Sequence, residues 1–187
     1  MWMRPTGIVR RIDELGRIVV PKELRRSLRI HEGDSVEIYV DPKGSVVLKK
    51  YSPVGQLKVV ATDMAESLSA SSGSVALICD RDVVIAASGP LEEELIDRRV
   101  GRAVEKAMAE KQALMVHFSG GGDASSILAN DGPDSVAMIS AAIAPIVADG
   151  DPVGAVVIGT TASDRTVGDL EESLAITAAG YLARQVE

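Results

Sequence analysis

The sequence predicts an α+β protein of two domains, residues 1–52 and residues 53–187. The charge changes sign along the chain: residues 1–50 carry eleven Lys and Arg against seven Asp and Glu, and residues 51–187 carry nine against twenty. The first part has the pattern of short strands and turns around one short helix. The second part alternates apolar strand segments with longer helical ones. A basic segment joined to an acidic one indicates a nucleic-acid or membrane surface on the basic part.

The composition is that of a folded protein with an aliphatic core. Hydrophobic residues make up 46% of the 187 residues and aromatic residues only 3%. No run of about 18 apolar residues occurs, so we expect no membrane contact. The N-terminus lacks the apolar stretch of a signal peptide. The single cysteine, Cys79, excludes an intramolecular disulfide framework. These features together predict a cytoplasmic location.

The first fifty residues predict four short strands and one helix. Apolar and β-branched residues fill the strand segments, and turn residues such as Gly16 and the run Asp41–Gly44 separate them. Pro21 suits the first position of a helix, because its missing N–H would have no partner there. The strands are expected at residues 7–12, 17–20, 36–40 and 45–49, and the helix at residues 22–28.

A fifty-residue unit of short strands buries little apolar surface by itself. Domains of this size are usually stabilised by disulfides, a metal or oligomerisation. The lone Cys79 excludes disulfides. His31 and His117 lie far apart without metal-ligand spacing, which argues against zinc or any other metal. We therefore predict an obligate dimer whose chains share strands.

The second part begins with a helix at residues 53–71, which links the two domains. The remaining strands are expected at residues 74–78, 83–87, 113–118, 136–147 and 153–160, and the remaining helices at residues 91–111 and from Val167 onward. Leu95, Val100, Val104 and Met108 are expected on the inward face of helix 91–111. Residues 119–133 are rich in Gly, Ser and Asp and predict a loop.

The first and last helices of this part carry apolar residues at 3-4-3-4 spacing, which is the a/d pattern of a helix seam. The two seams consist of Val54, Leu57, Ala61, Met64 and Leu68, and of Val167, Leu170, Leu174, Thr177 and Tyr181. One interpretation packs each helix on its own domain. The other pairs it with its twin across a dimer axis, so that the seams form an intersubunit bundle and join dimers into tetramers.

No catalytic constellation is visible. Cys79 ends an apolar strand and is expected to be a buried structural thiol. The acidic pairs Asp80/Asp82 and Asp149/Asp151 flank turns, where Asp side chains accept backbone hydrogen bonds. The glycine run 120–122 lacks the Lys and Ser/Thr of a phosphate-binding loop. We expect the protein not to be an enzyme and to hold no cofactor.

Residues 6–30, from Thr-Gly-Ile-Val-Arg-Arg to Ser-Leu-Arg-Ile, resemble the AbrB-type transition-state regulators. The likeness continues through Glu32-Gly33-Asp34, Val36–Val40 and Leu48–Tyr51. The rest of the chain is similar to the C-terminal GAF-like domain found in this family. The segments that carry this second likeness are residues 78–83, 145–158 and 178–185.

The resemblance implies an N-terminal swapped-hairpin β-barrel, formed by two interleaved chains, and a C-terminal GAF-like α/β sandwich with flanking helices. It implies a DNA-binding transcription regulator of forespore genes that activates some and represses others, with loose preference for AT-rich duplexes. The family's DNA-contacting arginines fall on Arg10, Arg17, Arg25 and Arg26, with Arg11, Lys22, Arg29 and Arg4 as weaker candidates. Some of these weaker candidates could instead pair with Asp13, Glu14 or Glu23.

Two alternatives stay open. The GAF-like domain could bind an unidentified small molecule beneath helix 91–111 and the loop 119–133, or it could serve assembly alone. AbrB-like folds also resemble antitoxin modules, which bind a toxin and regulate their own promoter. A folded domain of about 130 residues, in place of a short toxin-binding tail, favours the transcription regulator.

Overall fold

The computed structural model describes residues 6–42, 44–90, 92–118, 127–129, 138–162 and 165–186. They fall into two compact units, which meet in sequence between Tyr51 and Ser52. The helices are α1 (Lys22–Ser27), α2 (Pro53–Gln56), α3 (Lys58–Ser72), α4 (Glu92–Leu95), α5 (Arg102–Glu110) and α6 (Asp169–Val186). The strands are β1 (Val36–Val40), β2 (Val46–Lys50), β3 (Val75–Asp80), β4 (Val84–Ser88), β5 (Leu114–His117), β6 (Ser140–Ala148) and β7 (Asp151–Thr160). Among the described helices, none has the length and hydropathy of a membrane span.

The N-terminal unit contains α1 and the hairpin β1–β2. The two strands pair antiparallel, with Val36 opposite Lys50 and Val40 opposite Val46. The hairpin turn is closed by the Asp41 N–H, which donates to the Ser45 carbonyl at 2.9 Å. The predicted helix and the predicted strands 36–40 and 45–49 are therefore present, with bounds shifted by at most one residue.

The strands predicted at residues 7–12 and 17–20 are absent from the chain. The turn between them forms as expected, since the Gly16 N–H donates to the Asp13 carbonyl at 2.9 Å. A strand needs a neighbouring strand for its main-chain groups, and β1 and β2 pair only with each other among the described strands. These two segments therefore have strand-like sequences without a strand partner in their own chain.

The C-terminal unit is built on a five-stranded sheet in the order β4-β3-β7-β6-β5. Every neighbouring pair is antiparallel. Strands β6 and β7 are joined by Asp149 and Gly150, which have φ of 50° and 81°. Two consecutive residues with positive φ match the right-handed twist of the flanking strands, which explains this tight hairpin.

Alternate residues of the central strands point into two separate cores. On β3, Leu77 and Cys79 belong to the core on one face of the sheet, and Ala76 and Ile78 to the core on the other. Helix α5 covers the first face, whereas α2, α3 and α6 cover the second. Because both faces are covered, the central strands are apolar throughout.

The helix predicted over residues 91–111 is interrupted, so that prediction is wrong. The chain breaks between α4 and α5, where Arg99 bridges Val83 and Val100 bridges Leu128. The Gly101 N–H then donates to the Ile127 carbonyl at 2.8 Å. These long-range backbone bonds replace one helical turn. The four residues predicted to face inward, Leu95, Val100, Val104 and Met108, are all buried.

The two predicted seams divide between the interior and the surface. Val54, Ala61, Leu68 and Val167 are at most 5% exposed within their own unit. They are core residues and offer no surface to a partner, so their assignment to an intersubunit contact is corrected. Leu57, Met64 and Leu174 are half-buried, and Leu170, Thr177 and Tyr181 are exposed. The sheet supplies the apolar surface that these helices need.

Candidate nucleic-acid interface

Helix α1 presents three of the predicted DNA-contacting side chains, those of Lys22, Arg25 and Arg26. Pro21 precedes it with φ of −58°, and Glu23 lies in its first turn. Arg25 and Arg26 are exposed and lie in its last turn, where positive charge complements the helix dipole.

A shallow depression of about 400 Å³ lies beside α1. Its lining residues are Lys22, Arg25, Arg26, Arg29, Ile30, His31 and Glu32. Four of the seven are permanent cations and one is a carboxylate. The structure thus brings together four of the predicted cations, Lys22, Arg25, Arg26 and Arg29.

The cations Lys22, Arg25 and Arg26 make no ion pair within the described part of the chain, and all three are exposed. The charge on this helix is therefore compensated by solvent and salt rather than by the protein. Such a surface attracts polyanions, because binding releases the counterions condensed on them.

Arg17 is held by Asp13 across the turn. The Arg17 Nε lies 2.7 Å from Asp13 Oδ2, and the Arg17 main-chain N–H donates to Asp13 Oδ1 at 2.8 Å. These two bonds, with a third from the Leu15 N–H, lower the pKa of the Asp13 carboxyl below its usual value. The pairing with Asp13 that was expected of the weaker candidates thus involves Arg17. Its side chain is still 72% exposed.

Arg10, Arg11 and Arg17 do not line the depression. Arg10 and Arg11 are exposed, and the Arg10 guanidinium donates to the neighbouring Val9 carbonyl at 3.4 Å. Arg4 lies outside the described residues. Within one chain, then, the predicted arginines form a cluster on α1 and a separate exposed group on residues 10–17.

Two residues that sequence reasoning missed support the end of α1. The Lys50 ammonium donates to the Arg29 carbonyl at 3.0 Å and lies 3.1 Å from Asp34 Oδ2. The same carboxylate oxygen accepts from the His31 main-chain N–H at 2.8 Å. The Asp34 side chain is only 6% exposed. The sequence carries one signal that this helix end needs support: Arg29 occupies the position after a helix where glycine is usual.

The Cys79 thiol and the Asp80 carboxylate of the C-terminal unit have structural roles. Cys79 is fully buried, and burial raises the pKa of its thiol far above the usual value. Asp80 Oδ1 accepts from the main-chain N–H groups of Asp82 and Val83, both at 2.8 Å. The aspartate therefore shapes the turn between β3 and β4.

Comparison with known proteins assigns the two units. Residues 56–187 match the family described as stage V sporulation protein T C-terminal, transcription factor. The chain is 47% identical over 185 residues to stage V sporulation protein T of Bacillus subtilis, covering 99% of each chain. The chain belongs to this family of transcription factors. It is therefore a DNA-binding regulator of sporulation genes and not an enzyme.

The N-terminal unit has relatives of its own. Residues 9–56 match the family described as antidote-toxin recognition MazE, bacterial antitoxin. The transition state regulatory protein AbrB of Bacillus subtilis is 47% identical over 77 residues, which cover 41% of this chain and 79% of that protein. The resemblance to the AbrB-type regulators is confirmed.

The C-terminal unit has the GAF fold. The GAF domain of an Acinetobacter phosphoenolpyruvate-protein phosphotransferase superposes with a TM-score of 0.57 at 13% identity, covering 70% of this chain and 81% of that domain. The predicted α+β class with a GAF-like second part is confirmed by this likeness and by the AbrB match.

Proposed function

We propose that this transcription regulator binds DNA through Lys22, Arg25 and Arg26 of α1, together with Arg10, Arg17 and the flanking cations Arg11 and Arg4. The observation that carries the proposal is the exposed, unpaired cluster of Lys22, Arg25 and Arg26 on one short helix. Arginine suits phosphate because its planar fork pairs with two oxygens at once.

The DNA-binding form is a dimer in which the N-terminal segments of two chains interleave as a swapped-hairpin barrel. The exposed apolar side chains of this unit support it: Val9 is 85% exposed, and Val19 and Val40 are each 74% exposed. Many large apolar side chains exposed within one small unit indicate a surface that a partner covers. Residues 7–12 and 17–20 would gain in the partner chain the strand neighbours that their own chain does not supply.

Binding is dominated by phosphate neutralisation and prefers AT-rich duplexes loosely. If a dimer neutralises about six to eight phosphates, log K falls with log salt at a slope of roughly −5 to −7. Sequence preference then comes from DNA shape and deformability more than from base contacts. In the cell this places the protein in the bacterial cytoplasm, on the nucleoid.

The test is a salt series of affinities for an AT-rich, promoter-length duplex. The variant Arg25→Ala/Arg26→Ala should bind much more weakly and with a shallower slope. Its matched control is Arg102→Ala/Arg184→Ala, which removes two exposed arginines from the acidic unit. Sedimentation and circular dichroism would establish that each variant is folded and dimeric. Equal, weak binding by wild type and both variants would contradict the proposal.

The GAF-like unit joins dimers into tetramers through the surface that α6 leaves exposed. Leu170 is 59% exposed and Tyr181 is 39% exposed, and Thr177 lies between them along the helix. Light scattering of Leu170→Asp should then report dimers where the wild type reports tetramers. A small-molecule ligand is a further expectation; most of the loop 119–133, which would cover it, lies outside the described residues.

A second candidate function is an antitoxin-like module that binds a toxin and regulates its own promoter, which the match of residues 9–56 to the MazE family favours. Affinity purification of the full chain distinguishes the two. A small toxin retained in stoichiometric amount would support the antitoxin, whereas DNA retained at low salt and released at high salt supports the regulator.

A further inference from the structure

The residue that ends α1 has a strained backbone. Arg29 has φ of 52°, in the left-handed region that residues with a Cβ rarely adopt. The Arg29 N–H donates to the Arg26 carbonyl at 3.3 Å, and the Ile30 N–H donates to the Arg25 carbonyl at 2.8 Å. This is a Schellman motif, in which glycine normally occupies the position of Arg29.

The strain is local to the candidate DNA-binding surface. Arg25 and Arg26 supply the carbonyls that close the motif, and Arg29 itself lines the depression with them. Strained residues persist only where their surroundings hold them, and they concentrate at functional positions. The direction of these side chains therefore depends on whatever holds the Arg29 backbone.

Lys50 and Asp34 hold it. The ammonium of Lys50 binds the Arg29 carbonyl, and Asp34 binds that ammonium. The Lys50 side chain is 19% exposed and the Asp34 side chain 6% exposed, so the pair lies beneath the surface and not on it. Asp34 also fixes the following turn through the His31 N–H.

We propose that Asp34 and Lys50 are positioning residues for DNA binding: they hold Arg29 in its left-handed conformation and so fix the cationic face of α1. The inference rests on the proposed DNA-binding role of that face. By its charge alone, the Asp34 carboxylate would weaken the binding of DNA, which is a polyanion. In this proposal Asp34 strengthens binding instead.

The direction in which Asp34→Asn changes DNA affinity distinguishes a positioning role for Asp34 from a purely electrostatic one. Asp34→Asn removes a negative charge near a cationic surface, so electrostatics alone predicts tighter DNA binding. Positioning predicts weaker binding, because Lys50 loses its counter-ion and Arg29 loses its support. If the free-energy cost of the left-handed conformation at Arg29 is no longer compensated, DNA affinity should fall by about five- to thirtyfold. The matched control is Glu14→Gln, an exposed carboxylate of the same unit, which should bind as wild type or slightly tighter.

The experiment is a double-mutant cycle on DNA affinity with Arg29→Gly, because glycine adopts the left-handed conformation without support. Asp34→Asn should lose affinity in the wild-type background and lose little in the Arg29→Gly background. A general loss of fold stability would weaken binding equally in both backgrounds. Equal losses, or an Asp34→Asn protein that binds as tightly as wild type, would overturn the proposal.

A second pair of variants covers the case in which Asp34→Asn does not fold. Lys50→Gln and Lys49→Gln each remove one positive charge, but the Lys49 side chain is exposed on the same strand. Lys50→Gln should lose about fivefold more affinity than Lys49→Gln, and equal losses would refute the positioning role. In the same assay, Arg25→Ala/Arg26→Ala binding as tightly as wild type would show instead that the proposed DNA-binding surface is wrong.

Discussion

Arg165 joins the end of α3 to the start of α6, and its removal should destabilise the GAF-like unit markedly. Its guanidinium donates to the carbonyl of Gly73 at 2.8 Å and to that of Ser72, which terminate α3. The guanidinium also lies 3.2 Å from Oε1 of Glu171. The second carboxylate oxygen of Glu171, Oε2, accepts from the Gly168 N–H at 2.9 Å. Glu171 is only 5% exposed. One side chain thus neutralises a buried carboxylate and satisfies two helix-terminal carbonyls.

The expected cost of Arg165→Met is about 3 kcal/mol. Removing one partner of a fully buried ion pair costs roughly 3–5 kcal/mol. Because the Arg165 side chain is 39% exposed, solvent screening reduces the cost of losing this ion pair to about 2 kcal/mol. The lost carbonyl bonds contribute about 1 kcal/mol. For a unit of this size, such a loss lowers the melting temperature by roughly 10 °C.

Calorimetry of the full-length variant measures this shift, with Arg184→Met as the matched control. Arg184 is an exposed arginine of α6 without an ion pair among the described residues, so its loss should move the transition by less than about 2 °C. Hydrogen exchange should show the lost protection at the end of α3 and the start of α6. Equal shifts in both variants would refute the argument, as would unchanged exchange at these helix ends.

Three further outcomes follow from the geometry. Gly154→Ala should destabilise the fold, because a Cβ there would lie 2.2 Å from the Cys79 carbonyl oxygen, whereas Gly168→Ala meets nothing within 4 Å and should be neutral in thermal melts. Cys79 should resist alkylation at pH 8 until the protein unfolds, because burial raises its thiol pKa and blocks access; labelling of the native protein would contradict this. By NMR, the Asp13 carboxyl should titrate below the ordinary pKa of an aspartate, so its stabilising contribution is present above that ordinary pKa and lost as the pH falls through the lowered pKa. Arg17→Gln should reverse only part of the lowering of the Asp13 pKa, because the main-chain N–H donors of Arg17 and Leu15 remain.

Continuous apolar runs predicted the central strands well. The apolar runs of β3 and β7 were expected from sequence, and their alternate residues divide between two cores, as the strand geometry requires. Turn chemistry was equally informative: Asp149-Gly150 and the Asp80–Asp82 run form the predicted turns. These features depend on residues that are neighbours in sequence, which is the information a single sequence holds.

The interruption of helix 91–111 was missed, although the sequence carries a partial signal for it. Leu95 and Val104 are nine residues apart, which places them on opposite sides of a continuous helix, and Gly101 lies between them. The break itself depends on backbone hydrogen bonds to other parts of the chain, which join residues 97–101 to Asp82, Val84, Ile127 and Ala129. Such contacts override local propensity, and a single sequence does not identify the partners that make them.

Periodicity shows that a helix face is apolar but does not identify what covers that face. The 3-4-3-4 pattern of α3 fits a partner helix and the sheet of its own unit equally well, and the burial of Ala61 and Leu68 shows that the sheet covers it. The N-terminal unit is the opposite case, because Val9 and Val19 have strand-like sequences and remain exposed in the single chain. Burying such residues is worth about 1.5–3 kcal/mol each. We therefore expect the swapped dimer to form through the apolar residues that the fold leaves exposed in the N-terminal unit, and not through the buried seam residues Val54, Ala61 and Leu68.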